Sequence, residues 1–258
     1  MLFATRTGTD AEKPVVFIHA GGFSGTMWRD VAALLPNTDC ILPDLPGHGN
    51  SRHVRFQSLE RCADELADFI KQQHFSGPVD IVGLSFGSYV GLLLMARHPQ
   101  LVRTAMLSGF HVTGMPNPRL MKLIGYITAP LMQLNWMRRR NALAMGLKDD
   151  SLASDEHGNP HADVATVRRL LNDAVDFDAR QLLSAIAVPT LAVAGGREHK
   201  TILGSLSLLR DQMPNCVSCI APGLGHAWCA ENPELFARTV RSWTSDESLP
   251  DRLEVVRS

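Results

Sequence analysis

Ser85 stands in Gly83-Leu84-Ser85-Phe86-Gly87, directly after the apolar run Val79-Asp80-Ile81-Val82 and directly before Ser88 to Arg97, which reads as a helix. A G-x-S-x-G pentad between a buried-strand pattern and a helix pattern is the sequence form of a sharp turn that exposes a serine hydroxyl. Such a hydroxyl is a good nucleophile only beside a base, with backbone N–H groups waiting for the oxyanion. Small residues at 83 and 87 let strand and helix approach closely around the turn. The competing reading, an incidental loop serine, does not explain that context.

A base is available in Ala221-Pro222-Gly223-Leu224-Gly225-His226-Ala227-Trp228, a glycine-rich loop after the strand-like Cys216 to Ile220. Asn232-Pro233-Glu234 then opens a terminal helix, with proline well placed in its first turn. An imidazole on a loop at one strand end can reach a serine at the end of another, as general-base catalysis requires.

With these residues the chain resembles the α/β-hydrolase family over nearly all of its length. Pro14-Val15-Val16-Phe17-Ile18-His19-Ala20-Gly21-Gly22 is similar to the family's strand and oxyanion loop. Cys40-Ile41-Leu42-Pro43-Asp44-Leu45-Pro46-Gly47-His48-Gly49-Asn50-Ser51 is similar to its D-x-P-G-H-G-x-S turn. The chain departs from the family at Ala20, where glycine is usual, and at Ser88, which replaces the last glycine of G-x-S-x-G-G.

The resemblance implies a serine, acid, histidine order. The acid usually follows the strand that here reads Val188 to Gly195, in a G-x-x-D pattern; this chain has Gly195-Gly196-Arg197-Glu198, which puts Glu198 in that role. A glutamate can accept the second imidazole N–H and fix the tautomer. The family's other acid position follows the strand Thr104 to Ser108, where Gly109 to Thr113 offers no carboxylate. Asp176 and Asp178 remain as candidates, but Asp178 precedes Ala179-Arg180-Gln181-Leu182-Leu183 and is better explained as a helix N-cap. By the same resemblance the oxyanion donors are the N–H groups of Phe86 and Gly21, with Gly22 second. His19 is expected to tie loops together.

Strand-like runs at 15–19, 39–43, 79–84, 103–108, 189–195 and 216–220 alternate with helix-like segments such as Ser58 to Ile70, where Ser58 is a good N-cap. The implied fold is α/β, a mostly parallel doubly wound sheet flanked by helices. Few residues precede the first long strand, so the family's leading antiparallel strands should be shortened or partly absent. The expected organisation is one domain over 1–258 with a helical insertion at about 110–180. In the family such an insertion is a lid. Its methionines, Met121 and Met132 among them and Met145 near its middle, would join Leu120, Leu123, Ile124, Ile127 and Trp136 in an apolar ceiling, although most would only pack the lid on itself. Met121, Met132 and Trp136 are the expected pocket residues.

With 258 residues and 45% hydrophobic content, the chain can bury a large core. A net charge of -1, with no basic cluster beyond Arg138-Arg139-Arg140, gives no sign of a nucleic-acid partner. The N-terminus lacks a basic leader and no apolar run approaches a membrane span, so a cytoplasmic protein is expected. Five cysteines, an odd number, fit a reducing compartment. Cys216 and Cys219 form a lone C-x-x-C, which on a strand points to opposite faces and reads as two small hydrophobes. His157 and His161 are separated by Gly158-Asn159-Pro160, which forbids a shared helical face, so neither a metal nor another cofactor is expected. The expectation is a cofactor-independent serine hydrolase acting on an ester, lactone or thioester of a largely apolar small molecule. The same constellation serves lyases, perhydrolases and acyltransferases, and also sensors that keep the triad but turn over slowly. Oligomeric state is not legible.

Overall fold

A computed structural model describes residues 1–8, 13–144 and 159–257. Its strands are β1 (Ala4–Thr7), β2 (Val15–Ile18), β3 (Cys40–Pro43), β4 (Val79–Leu84), β5 (Val102–Ser108), β6 (Thr190–Gly195), β7 (Cys216–Ala221) and β8 (Glu254–Val255). They form one sheet in the order β1-β3-β2-β4-β5-β6-β7-β8. The pairs from β3 to β7 are parallel, while β1 and β8 run antiparallel at the two edges. Helices cover both faces of a parallel sheet, which is why every residue of β2, β3, β4 and β6 is buried and the strands read as continuous apolar runs. The leading strand is present in shortened form as β1. The two-residue β8 is too short to leave a periodic signal.

The helices are α1 (Arg29–Ala33), α2 (Leu59–Gln72), α3 (Phe86–Arg97), α4 (Pro118–Leu131), α5 (Asn135–Ala144), α6 (Val164–Asp176), α7 (Arg180–Leu183), α8 (Lys200–Gln212), α9 (Trp228–Glu231) and α10 (Pro233–Thr244). Helix α2 starts at Ser58, whose Oγ accepts the Arg61 N–H at 3.2 Å, and buries Leu59, Cys62, Ala63, Leu66, Ala67 and Ile70 at helical spacing. Helix α3 is buried from Phe86 to Met95, so it has no polar face to present. Core packing among the described residues falls into two large clusters and a small one around Ala129, with alternate residues of β2 in the two large ones: Val16 and Ile18 in one, Val15 and Phe17 in the other. Cys216 packs at the edge of the first and Cys219 within the second, and burial pushes both thiols up to about 11.

Between β5 and β6, helices α4 to α7 interrupt the alternation. Met145 and His157 lie outside the described residues. Helix α4 packs on α6 through its smallest residues: Ala129 is fully buried, and a Cβ added at Gly125 would stand 3.4 Å from Leu171 Cδ1. Arg168 of α6 donates to the Tyr126 carbonyl at 3.1 Å and places its guanidinium 3.8 Å above the Tyr126 ring, and Lys122 pairs with Asp176. Asp173 of α6 accepts the Leu59 N–H at 3.1 Å, tying the insertion to α2. Because the small residues face inward, Leu120, Leu123, Ile124 and Ile127 face outward, and they do not form the expected ceiling. No helix among the described residues is long and apolar enough to cross a membrane.

Candidate active site

Ser85 is the single residue between β4 and α3, and its φ of 54° with ψ of -114° lies outside the regions open to most side chains. Such a conformation costs on the order of 1–3 kcal/mol and persists only where the surroundings enforce it. Here a Cβ at Gly83 would stand 2.7 Å from the Gly87 carbonyl oxygen, and one at Gly87 would stand 2.1 Å from that of Ile18. No side chain fits at either position. The Ser85 N–H donates to the Ser108 carbonyl at 2.8 Å. Ser88, the departure from the family's glycine, braces the same strand end: its Oγ donates to the Ser108 carbonyl at 2.8 Å and accepts the Ser108 N–H at 2.9 Å.

His226 follows β7 and Glu198 follows β6, neighbouring strands of the sheet. The His226 Nδ1–H donates to Glu198 Oε1 at 2.7 Å, with the imidazole side chain 22% and the carboxylate side chain 5% exposed. Both groups lie against Gly109, where a Cβ would stand 3.0 Å from Glu198 Oε1 and 3.0 Å from His226 Cε1. Gly109 is next in sequence to Ser108, the residue that holds the Ser85 N–H. The end of β5 therefore meets the serine turn at Ser108 and the imidazole–carboxylate pair at Gly109. Trp228 adds a hydrogen bond from Nε1 to Ser108 Oγ at 2.8 Å.

The two loops are joined by contacts that sequence reasoning missed. Arg197 N–H donates to the Leu224 carbonyl at 2.9 Å, Gly225 N–H donates to Glu231 Oε1 at 2.7 Å, and Arg197 Nη2 meets Glu231 Oε2 at 2.6 Å. The only sequence clue to Glu231 is an acid one turn into the segment after His226. The other acid candidates are engaged elsewhere: Asp176 with Lys122, and Asp178 with the Arg180 N–H at 3.1 Å and its guanidinium at 2.5 Å. The Arg180 hydrogen bonds hold Asp178 down at about 2. Ala179 occupies the cap position of α7, but Asp178 still supplies an acceptor to its first N–H.

The loop after β2 is braced by the turn after β3. His19 is fully buried, donates from Nδ1 to the Ala20 carbonyl at 2.9 Å and accepts the Leu45 N–H at Nε2 at 2.9 Å, and burial lowers it to about 4. His48 donates from Nδ1 to the Pro46 carbonyl at 2.9 Å and accepts the Gly22 N–H at 3.2 Å; burial lowers it to about 3. Both imidazoles are thus neutral connectors. Asp44 accepts the Gly25 and Asn50 N–H groups at 2.8 Å each. Gly22 therefore directs its N–H to His48. Gly21 stands between Phe86 and α6: a Cβ there would be 3.4 Å from Phe86 Cβ and 2.8 Å from Leu170 Cδ1. Beside Gly21 and Gly22 opens a cavity of about 80 Å³ whose wall includes Phe23, Met132 and Val167. Of the other expected pocket residues, Met121 is half-buried on α4 and Trp136 is 59% exposed on α5.

The sequence model of the alpha/beta hydrolase family matches residues 15–239. An AB hydrolase superfamily protein of Gibberella zeae is 26% identical over 247 residues, which cover 94% of this chain and 83% of that protein. A pimeloyl-(acyl-carrier protein) methyl ester esterase of Neisseria meningitidis serogroup B is 31% identical over 263 residues, covering 91% of this chain and 93% of that protein. A solved lipase-esterase related protein from Clostridium acetobutylicum superposes with a TM-score of 0.78 over 94% of this chain and 99% of its own, at 18% identity, a likeness of fold. With the family model spanning most of the sheet and the serine turn in place, the chain belongs to the alpha/beta hydrolase family.

Proposed function

We propose that the protein is a cofactor-independent serine hydrolase that cleaves a carboxylic ester, lactone or thioester with a largely apolar acyl or alcohol part. The observation that carries this reading is the 2.7 Å His226–Glu198 pair seated on Gly109, one residue from the carbonyl that holds Ser85. Ser85 Oγ attacks the substrate carbonyl while His226 Nε2 takes its proton. Glu198, accepting from Nδ1, holds the tautomer and stabilises the imidazolium. The carbonyl oxygen, now negative, takes hydrogen bonds from the N–H groups of Phe86 and Gly21. Phe86 also opens α3, so the positive end of that helix faces the developing charge. One such donor is typically worth about 3–4 kcal/mol of barrier. Collapse of the tetrahedral intermediate expels the alcohol or thiol, which takes the proton from His226. Water, deprotonated by His226, then releases the acid and restores Ser85.

Support for ester chemistry comes from the Neisseria relative, which is named for a methyl ester. Support for an apolar substrate comes from Phe23, Met132 and Val167 in the cavity wall. Five free cysteines, four of them buried, suit a reducing compartment, and we place the protein in the cytoplasm.

Rapid mixing with an activated ester tests the reading. A burst of alcohol equal to the enzyme concentration, followed by sustained turnover, is expected. A burst without turnover would make the protein a sensor, and the absence of any acyl-enzyme would remove the serine mechanism.

A further inference from the structure

Most of the large hydrophobic side chains exposed among the described residues lie between Leu120 and Leu143, on α4 and α5. Leu120, Leu123, Ile124, Ile127 and Leu131 recur at three- and four-residue spacing and are 38% to 59% exposed, so they form one continuous stripe along α4. Trp136, also 59% exposed, continues the apolar surface onto α5. The opposite side of α4, with Gly125 and Ala129, is the one committed to α6. Isolated exposed leucines need no explanation, but a contiguous stripe of this kind marks an interaction surface.

Charge selects the occupant. From Thr113 to Ala144 the chain carries Arg119, Lys122, Arg138, Arg139 and Arg140 and no aspartate or glutamate, although the whole chain is -1. Arg119, Arg139 and Arg140 are exposed. A second copy seated on this face would bring the two cationic rims together. An anionic lipid surface instead offers acyl chains to the stripe and headgroups to the arginines, with the amphipathic rings of Trp136 and Tyr126 at the boundary. We infer that the α4–α5 face docks the protein on anionic phospholipid, lying in the plane of the interface. None of the stripe residues, nor Arg139 or Arg140, lines the cavity beside Gly21, whose wall takes Met132 after α4 and Arg138, Asn141 and Ala142 of α5.

The test is co-sedimentation of the full chain with vesicles of phosphatidylcholine alone or mixed with phosphatidylglycerol. Partitioning into the anionic vesicles should be at least about tenfold stronger and should weaken as salt is raised. Binding should shift tryptophan emission to the blue in the wild type and not in Trp136→Phe, a comparison that sets aside the half-buried Trp243; Trp28 and Trp228 are fully buried already. Ile127→Asp should abolish binding, and Arg139→Glu with Arg140→Glu should abolish the preference for phosphatidylglycerol, both with melting temperature and turnover of a soluble ester unchanged. Loss of ester turnover in the wild type with vesicle binding intact would overturn the hydrolase reading alone. Failure to bind anionic vesicles overturns the docking inference. So does a concentration-dependent dimer dissolved by Ile127→Asp, which would assign the face to a second copy, and so does capture by an acidic soluble protein without vesicle binding.

Discussion

Arg197 and Glu231 meet at 2.6 Å, and through them the residue before Glu198 is fastened to the residue before His226, because Glu231 also accepts the Gly225 N–H. Two loops from neighbouring strands are thus fixed to one another next to the imidazole–carboxylate pair. A side chain at Gly195 would break this closeness, since its Cβ would stand 2.2 Å from the Gly225 carbonyl oxygen. The contact holds the two loops in register beside the imidazole–carboxylate pair.

Removing the carboxylate should separate chemistry from stability. Glu198→Gln should lower kcat on the order of 10³-fold or more with little change in melting temperature, because His226 loses the acceptor that fixes its tautomer. Asp178→Ala should leave kcat near wild type and cost about 1 kcal/mol of stability through the first turn of α7, which loses the acceptor of the Arg180 N–H. Steady-state kinetics and thermal melts on both variants check this; exchanged phenotypes would move the acid to Asp178.

The buried imidazoles make stability fall with acid. His19 and His48 stay neutral in the folded chain down to about 4 and about 3, whereas unfolded they take a proton near 6.5. Below 6.5 the unfolded state binds more protons, so their contribution is complete above that value and is lost as pH falls toward 4 and then 3. The denaturation midpoint should drop over that window, and His48→Gln should flatten the drop while lowering stability at neutral pH. An unchanged slope in the variant would show that His48 is not held neutral.

Acyl length should be read by Met132 and not by Trp136. On p-nitrophenyl esters kcat/KM should rise from acetate to a medium chain, by up to about 0.8 kcal/mol of transition-state binding per buried CH₂, and then fall. Met132→Ala should move the optimum to longer chains because it enlarges the cavity beside Gly21. Trp136→Ala, on the outer face, should leave the profile unchanged. A profile insensitive to Met132 would place the acyl chain elsewhere.

The parallel strands were legible because burial on both faces turns each into an apolar run between turns, and the serine turn was legible because it demands glycine at 83 and 87. The apolar face of α4 misled for a physical reason. Leu120, Leu123, Ile124 and Ile127 have the spacing of an inward face, yet α4 approaches α6 through Gly125 and Ala129, where small residues allow closer packing, and this turns the aliphatic stripe outward. Beyond the bare acid at 231, the Arg197–Glu231 contact carried no local signal, since it exists only once β6 and β7 are neighbours. Gly109 was equally silent: its φ of 67° and its contact with the imidazole follow from the β5–β6 register.

The most direct test of the central claim is covalent labelling by a fluorophosphonate, read by intact mass and peptide mapping. One phosphonyl group per chain is predicted, on the peptide that contains Ser85, with labelling abolished in Ser85→Ala and slowed by orders of magnitude in His226→Ala while both variants melt as the wild type does. Undiminished labelling of Ser85→Ala at another serine, or no labelling of the folded wild type, would contradict the account.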